Sequence, residues 1–126
     1  MLNIELKFKA FNKKNRKVYR SGSLSFSTEH HSFMIYSEKD MEGVKDTDIE
    51  IMQFTGQKDI NNKEIFQRDI LKLDDSKKIV VWDNNRGGWS ITDVERKITM
   101  TPFGRSEANR CEVIGNEFET PDLLKP

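Results

Sequence analysis

Residues 70–91 read Ile70-Leu71-Lys72-Leu73-Asp74-Asp75-Ser76-Lys77-Lys78-Ile79-Val80-Val81-Trp82-Asp83-Asn84-Asn85-Arg86-Gly87-Gly88-Trp89-Ser90-Ile91. Apolar runs at 70–73 and 79–82 flank a polar turn over 74–77, and Trp82 and Trp89 flank residues 83–88, a second hairpin signature. Downstream, residues 98–101 continue as strand until Pro102 and Gly104 break the run. Residues 111–115 form a last strand, and Pro121 opens a single terminal helical turn through Leu124. Upstream, Gly56 closes a strand-like run over 49–55. The following stretch, residues 56–66, reads as a turn between two strands, because Asn61 and Asn62 tolerate the left-handed backbone of tight hairpins.

The amino end carries the clearest alternation. Ile4, Leu6, Phe8 and Ala10 are separated by Glu5, Lys7 and Lys9, the period of two of a half-buried strand. A polar turn over 12–17 and a resumed strand at Val18-Tyr19 complete a hairpin. Short β-rich runs follow at 24–26 and 33–36, and the acidic segment 38–48, which contains Gly43, suits a loop or a short helix. About ten short, mostly antiparallel strands without a long 3.6-residue period predict an all-β, or strongly β-dominated, fold with a short C-terminal helical turn. The arrangement expected is one domain over 1–126, barrel-like or in two subdomains with a boundary in 38–48.

The 126-residue chain has 21 basic and 21 acidic residues, 33% charged and 35% hydrophobic residues, and a mean hydropathy of -0.74. A domain of this size buries roughly two-thirds of its unfolded surface and can hold one modest core without disulfides or metal. No 18-residue apolar run and no apolar leader are present, so no membrane association is expected. The lone Cys111 cannot form an intrachain disulfide or anchor a cysteine metal cluster, consistent with a reducing compartment.

Charge is balanced in total yet segregated. Residues 1–20 carry seven cations (Lys7, Lys9, Lys13, Lys14, Arg16, Lys17, Arg20) against Glu5, whereas residues 21–62 carry eight acids (Glu29, Glu38, Asp40, Glu42, Asp46, Asp48, Glu50, Asp59) against three lysines. Such segments attract partners of either sign, each other within the fold, or each other between subunits.

The block Ile51-Met52-Gln53-Phe54-Thr55-Gly56, then Lys58-Asp59, Asn62-Lys63-Glu64-Ile65-Phe66 and Asp69-Ile70, resembles the signature of the YopX-like proteins of bacterial phages and prophages. The opening residues 6–11 are similar to that family's first strand. Residues 111–116, with Glu119, Pro121, Leu123 and Leu124, resemble its closing segment. The family's usual Trp-Asp after the first strand is Phe11-Asn12 here, its Asn-Gly turn is Asn61-Asn62, and its Gly-Asp is Arg68-Asp69. Arg68 is strained if that site needs a positive φ. The resemblance implies a β-rich phage or prophage protein in the bacterial host cytoplasm and brings no established activity with it.

Three constellations are candidates for chemistry. Asp59, Glu64 and Asp69 could converge for acid-base work or metal binding. The favoured reading is structural: Asp59 stabilises a turn, Glu64 pairs across strands with a lysine, and Asp69 starts a strand. An EF-hand reading of Asp59-x-Asn61-x-Lys63 fails, since a lysine occupies a ligand position. The remaining signature residues, Gln53, Phe54, Thr55, Gly56, Lys58, Asn62, Lys63 and Ile65, are turn and core types.

The second constellation would bind nucleic acid, with Lys13, Lys14, Arg16, Lys17 and Tyr19 joined by Arg86 beside Trp82 and Trp89. Its cations would track phosphate while an aromatic face stacks on an unpaired base. Two Trp flanking a turn are more often a packing pair. The third set offers little: His30 and His31, being adjacent, point to opposite faces of a strand, and Cys111 reads as a small buried hydrophobe. With many strand edges and an aromatic content of two Trp, two Tyr and eight Phe, the chain suits self-association. The expectation is therefore a non-catalytic, homo-oligomeric interaction module that needs no cofactor or metal. Its partner would be an unknown phage or host protein, with sequence-nonspecific nucleic-acid binding as the alternative.

Overall fold

The computed structural model describes residues 7–20, 24–27, 32–36, 41–95 and 100–125. The expected strand residues Ile4, Leu6, Ile98 and Thr99, and the pair His30 and His31, lie outside them. Within them the protein is all-β, with twelve strands, one short α-helix and two 3-10 turns. It divides into two compact units, Met1–Gln53 and Phe54–Pro126.

In the first unit β1 (Phe8–Asn12) lies between β2 (Lys17–Arg20) and the start of β6 (Ile49–Lys58), both antiparallel to it. Ala10, Phe11, Ile49 and Met52 are buried, but Phe8 is only half-buried and burial runs through Ala10, Phe11 and Asn12 in succession, so the strict alternation expected of this strand is not kept at its end. A separate antiparallel sheet has the order β3 (Leu24–Ser27), β4 (Ser32–Tyr36), β5 (Met41–Lys45). Of the acidic segment, Met41–Lys45 is strand and Asp46–Asp48 a 3-10 turn, while residues 38–40 lie outside the described residues. Pairing with β4 overrides the low strand preference of Glu42 and Gly43.

In the second unit the sheet order is β11-β10-β9-β8-β12, formed by β8 (Asp69–Leu73), β9 (Ser76–Asp83), β10 (Gly88–Asp93), β11 (Met100–Pro102) and β12 (Cys111–Asn116). The turn between β8 and β9 is tighter than the sequence indicates. Leu73 pairs with Ser76, leaving only Asp74 and Asp75 in the loop, with Asp74 at φ 55. One face of the sheet carries Leu71, Leu73, Val80, Ile91, Cys111 and Val113. With Ile65, Phe103 and Ala108 they form the core, and Trp89 packs at its margin. Helix α1 (Arg105–Ala108) has no counterpart in the apolar pattern. Its start is held by Glu107, whose Oε1 accepts the Gly104 N–H at 2.8 Å.

The strand from Ile49 does not stop at Gly56. β6 runs on to Lys58 because Gly56, at φ 88, absorbs a register shift against β7 (Glu64–Phe66). Thr55 braces this bulge, its Oγ1 donating to the Ile65 carbonyl at 2.8 Å and accepting from the Gln57 N–H. Arg68 does stand at a positive φ, 72. It is held there by its N–H to the Val80 carbonyl, its carbonyl to the Glu117 N–H, and an ion pair with Glu117 at 3.2 Å.

The two edges of the five-stranded sheet differ: one is blunted by a proline, the other is bonded to a loop. On β11, the Phe103 N–H bonds the Trp89 carbonyl, so by alternation Met100 and Pro102 turn their backbone groups outward. Pro102 has no N–H to present, which blunts that edge without costing a ladder bond. On β12, the outward Cys111 carbonyl accepts from the Ile60 N–H at 3.0 Å, and the outward Val113 N–H is bonded by Asp59 Oδ2 at 2.8 Å.

Gly115 sits under the C-terminal turn, where an added Cβ would fall 2.1 Å from Thr120 Oγ1 and 2.8 Å from Leu123 Cδ1. Gly115→Ala is expected to displace residues 117–124 and destabilise the protein by about 1–3 kcal/mol, read from the urea unfolding midpoint. An unchanged midpoint would contradict this packing.

Candidate functional site

The signature residues around Asp59 form a densely hydrogen-bonded turn. Asp59 is 6% exposed. Its Oδ1 accepts the N–H groups of Asn61 (2.9 Å) and Lys63 (2.8 Å), and its Oδ2 accepts the Val113 N–H, 54 residues away. The Asp59 N–H donates to the Lys63 carbonyl, and the Asn62 N–H to the Asp59 carbonyl, with Asn62 at φ 64. The asparagine expected to supply a left-handed residue does so.

The other two acids of this constellation are engaged as well. Asp69, 2% exposed, accepts the buried Phe66 N–H on its Oδ2 at 2.7 Å. The register sets Glu64 directly across from Lys58. Phe54 and Phe66 meet at 5.5 Å, tilted, beside them. Among the described residues no group of three His, Cys, Asp or Glu side chains is placed to hold a metal ion.

Cys111 lies fully buried in the core, its Sγ 3.4 Å from the Ala108 carbonyl. Burial, reinforced by the negative charge of Asp59, pushes its thiol from the ordinary 9.0 up to about 11. It is a core side chain and not a nucleophile at neutral pH.

The basic turn is partly neutralised by the acidic segment that follows. Lys13 Nζ pairs with Glu50 at 2.9 Å and Lys14 Nζ with Asp48 at 3.4 Å. Of the alternatives left open by the charge segregation, attraction within the fold is realised for these two lysines. Asn12, 2% exposed, heads the turn by accepting the Lys14 N–H, and Arg16, at φ 60, lies over the Phe11 ring at 5.4 Å. Asn15 accepts the Lys17 N–H and donates to the Tyr19 hydroxyl. The side chains of Lys17 and Arg20 are exposed and hold no ion pair among the described residues.

The Trp hairpin is built on the same plan. Asp83 heads it by accepting the Asn85 N–H, the Gly87 N–H bonds the Asp83 carbonyl, and Gly87 takes φ 70 where the first hairpin has Arg16. Trp82 and Trp89 are direct cross-strand partners, 5.1 Å apart and edge-to-face at 83°, the packing pair that the flanking positions suggested. Arg86 does not join them. Its Nη2 donates to the Trp89 carbonyl and to Ser90 Oγ (3.0 Å), and Ser90 alternates with Trp89. The guanidinium therefore lies on the opposite face from the indoles, across Gly88, where an added Cβ would meet it at 2.8 Å.

Of the exposed large apolar side chains, only Trp82 is named by the sequence reading as a binding candidate. Ile60 is 64%, Met100 54%, Trp82 43% and Ile51 38% exposed. Ile60 carries no sequence signal of exposure beyond its place in a polar turn.

Comparison with known proteins bears on this arrangement. A family model described as YopX protein matches residues 7–125. The chain is similar to the crystal structure of protein EF1440 from Enterococcus faecalis, at 21% identity and a TM-score of 0.67, covering 98% of this chain and 100% of that one. It is also similar to protein yopX from Bacillus subtilis, at 17% identity and a TM-score of 0.58, covering 95% and 96%. At these identities the likeness is one of fold. No curated protein matches the chain.

Asp59→Ala leaves three backbone N–H groups without an acceptor and is expected to cost about 3 kcal/mol or more of unfolding free energy. Loss below about 1 kcal/mol would show that water replaces the carboxylate. Because the folded-state pKa of Cys111 is raised, its contribution is fully present below about pH 9 and fades as pH rises toward about 11. Stability should fall over that window, and Cys111→Ala should flatten the fall. At pH 8 an aromatic disulfide reagent should label Cys111 only as the protein opens.

Proposed function

The chain belongs to the YopX family, and from that premise we propose that it is a small non-catalytic interaction module of a phage or prophage, working as a self-associating protein in the host cytoplasm. One observation carries the non-catalytic reading. The buried carboxylates of the signature accept backbone N–H groups, three at Asp59 and one at Asp69, so the residues that define the family hold its turns together. No helix among the described residues is long and apolar enough to cross a membrane.

Self-association is supported by the large apolar side chains left in water. Trp82 is the foremost, since an indole is the side chain most often found at the energetic centre of an interface. The favoured route runs through side-chain surfaces of the second unit, since Pro102 blunts one of its sheet edges and the Asp59 turn bonds the other. Nucleic-acid binding has less behind it. Lys13 and Lys14 are held in ion pairs, and Arg86 and the Trp pair occupy opposite faces of one sheet.

Sedimentation velocity over about a hundredfold range of concentration tests the reading, with a mass at or above the dimer expected to rise with concentration. Trp82→Ala should shift the equilibrium toward monomer. A monomer throughout overturns self-association. A saturable change of Trp fluorescence with single-stranded DNA, duplex DNA or RNA that weakens steeply with salt would put nucleic-acid binding in its place.

A further inference from the structure

The edges of the two β1–β2–β6 and β8–β12 pairing systems differ in one respect. In the second unit one edge is blunted by Pro102, which has no N–H to offer, and the other is bonded by Asp59 and Ile60. In the first unit β2 ends its sheet, and no described strand pairs with its outer side.

The hydrogen-bond phase of β2 follows from its neighbours. The Lys13 N–H bonds the Asp48 carbonyl, so alternate residues of β1, Lys9 and Phe11, turn their backbone groups toward β6, and Ala10 and Asn12 turn theirs toward β2. Their partners Tyr19 and Lys17 bond inward. Val18 and Arg20 therefore point N–H and C=O outward, a two-residue template of the kind on which an extended segment adds as a further strand.

Charge selects what can add. The intramolecular ion pairs neutralise Lys13 and Lys14 and leave Lys17 and Arg20, one at each end of β2, exposed and unpaired among the described residues. Pairing β2 with β2 of a second copy would bring four cations onto one short ladder, which repels. An acidic segment removes that repulsion.

We infer that the outer edge of β2 is a docking site for an extended acidic peptide segment of a partner protein, held by backbone bonds to Val18 and Arg20 and by the charges of Lys17 and Arg20. This rests on the interaction-module reading and adds to it the chemistry of a partner. It is independent of whether the chain self-associates.

The test is fluorescence anisotropy with a labelled peptide of about six residues alternating Glu and Val, beside the same peptide with Lys for Glu. The acidic peptide should bind, more weakly as salt rises, and the basic one should not. Val18→Pro removes an outward N–H without touching the bonds to β1. It should weaken binding about tenfold or more, as should the double variant Lys17→Glu/Arg20→Glu. The double variant alters only exposed side chains and decides the matter if Val18→Pro does not fold, as checked by circular dichroism. Absence of binding, equal binding of both peptides, or undiminished binding by the double variant overturns the inference. Sedimentation is read separately, so a self-associating protein that ignores the acidic peptide loses this inference alone.

Discussion

The carboxylate of Asp59 is the constraint around which the second unit is organised. One side chain closes its own turn and satisfies the outward N–H of Val113, so a surface loop and the last strand of a sheet become one bonded system. Buried at 6% exposure, it compensates its own desolvation through three N–H donors, the condition under which a carboxylate survives away from water. The neighbouring signature residues serve the same end. Gly56 and Thr55 form the bulge that brings β6 to the turn, and Asp69 holds the next turn from Phe66.

Charge and turn chemistry act together in the first unit. Two hairpins far apart in sequence share one plan, an Asx side chain at the head and a left-handed residue four positions on. In one of them the left-handed residue is Gly87, in the other Arg16. A non-glycine residue there costs about 1–2 kcal/mol, which the contact of Arg16 with Phe11 partly offsets. The ion pairs of Lys13 with Glu50 and of Lys14 with Asp48 then join the turn to β6 and to the 3-10 turn before it. At these exposures each contributes little to stability. Their consequence is to decide which cations remain available.

Local grammar made much of the fold legible. The run from Ile70 to Ile91, the Asn62 turn and the Pro121 turn depend on residues a few positions apart, and the strain foreseen at Arg68 is present. What escaped needs tertiary information. β5 is strand because β4 pairs with it, and α1 is too short for a periodic signal. The bond from Val113 to Asp59 joins residues with no sequence relation. Proximity along the chain groups Arg86 with Trp82 and Trp89, yet its guanidinium crosses Gly88 to the Ser90 side, an outcome that only side-chain geometry can reveal.

The closure of β12 also bears on how the chain assembles. β8 to β11 pair as successive neighbours across short loops, whereas β12 must return past β9, β10 and β11 to lie against β8 and then meet the Asp59 turn. Closing that long loop carries an entropy cost that the meander does not have to meet. The meander is therefore the expected nucleus and β12 the last strand to dock. Until it does, β8 is an unpaired apolar edge, and the interval before docking is when a newly made chain is most exposed to aggregation.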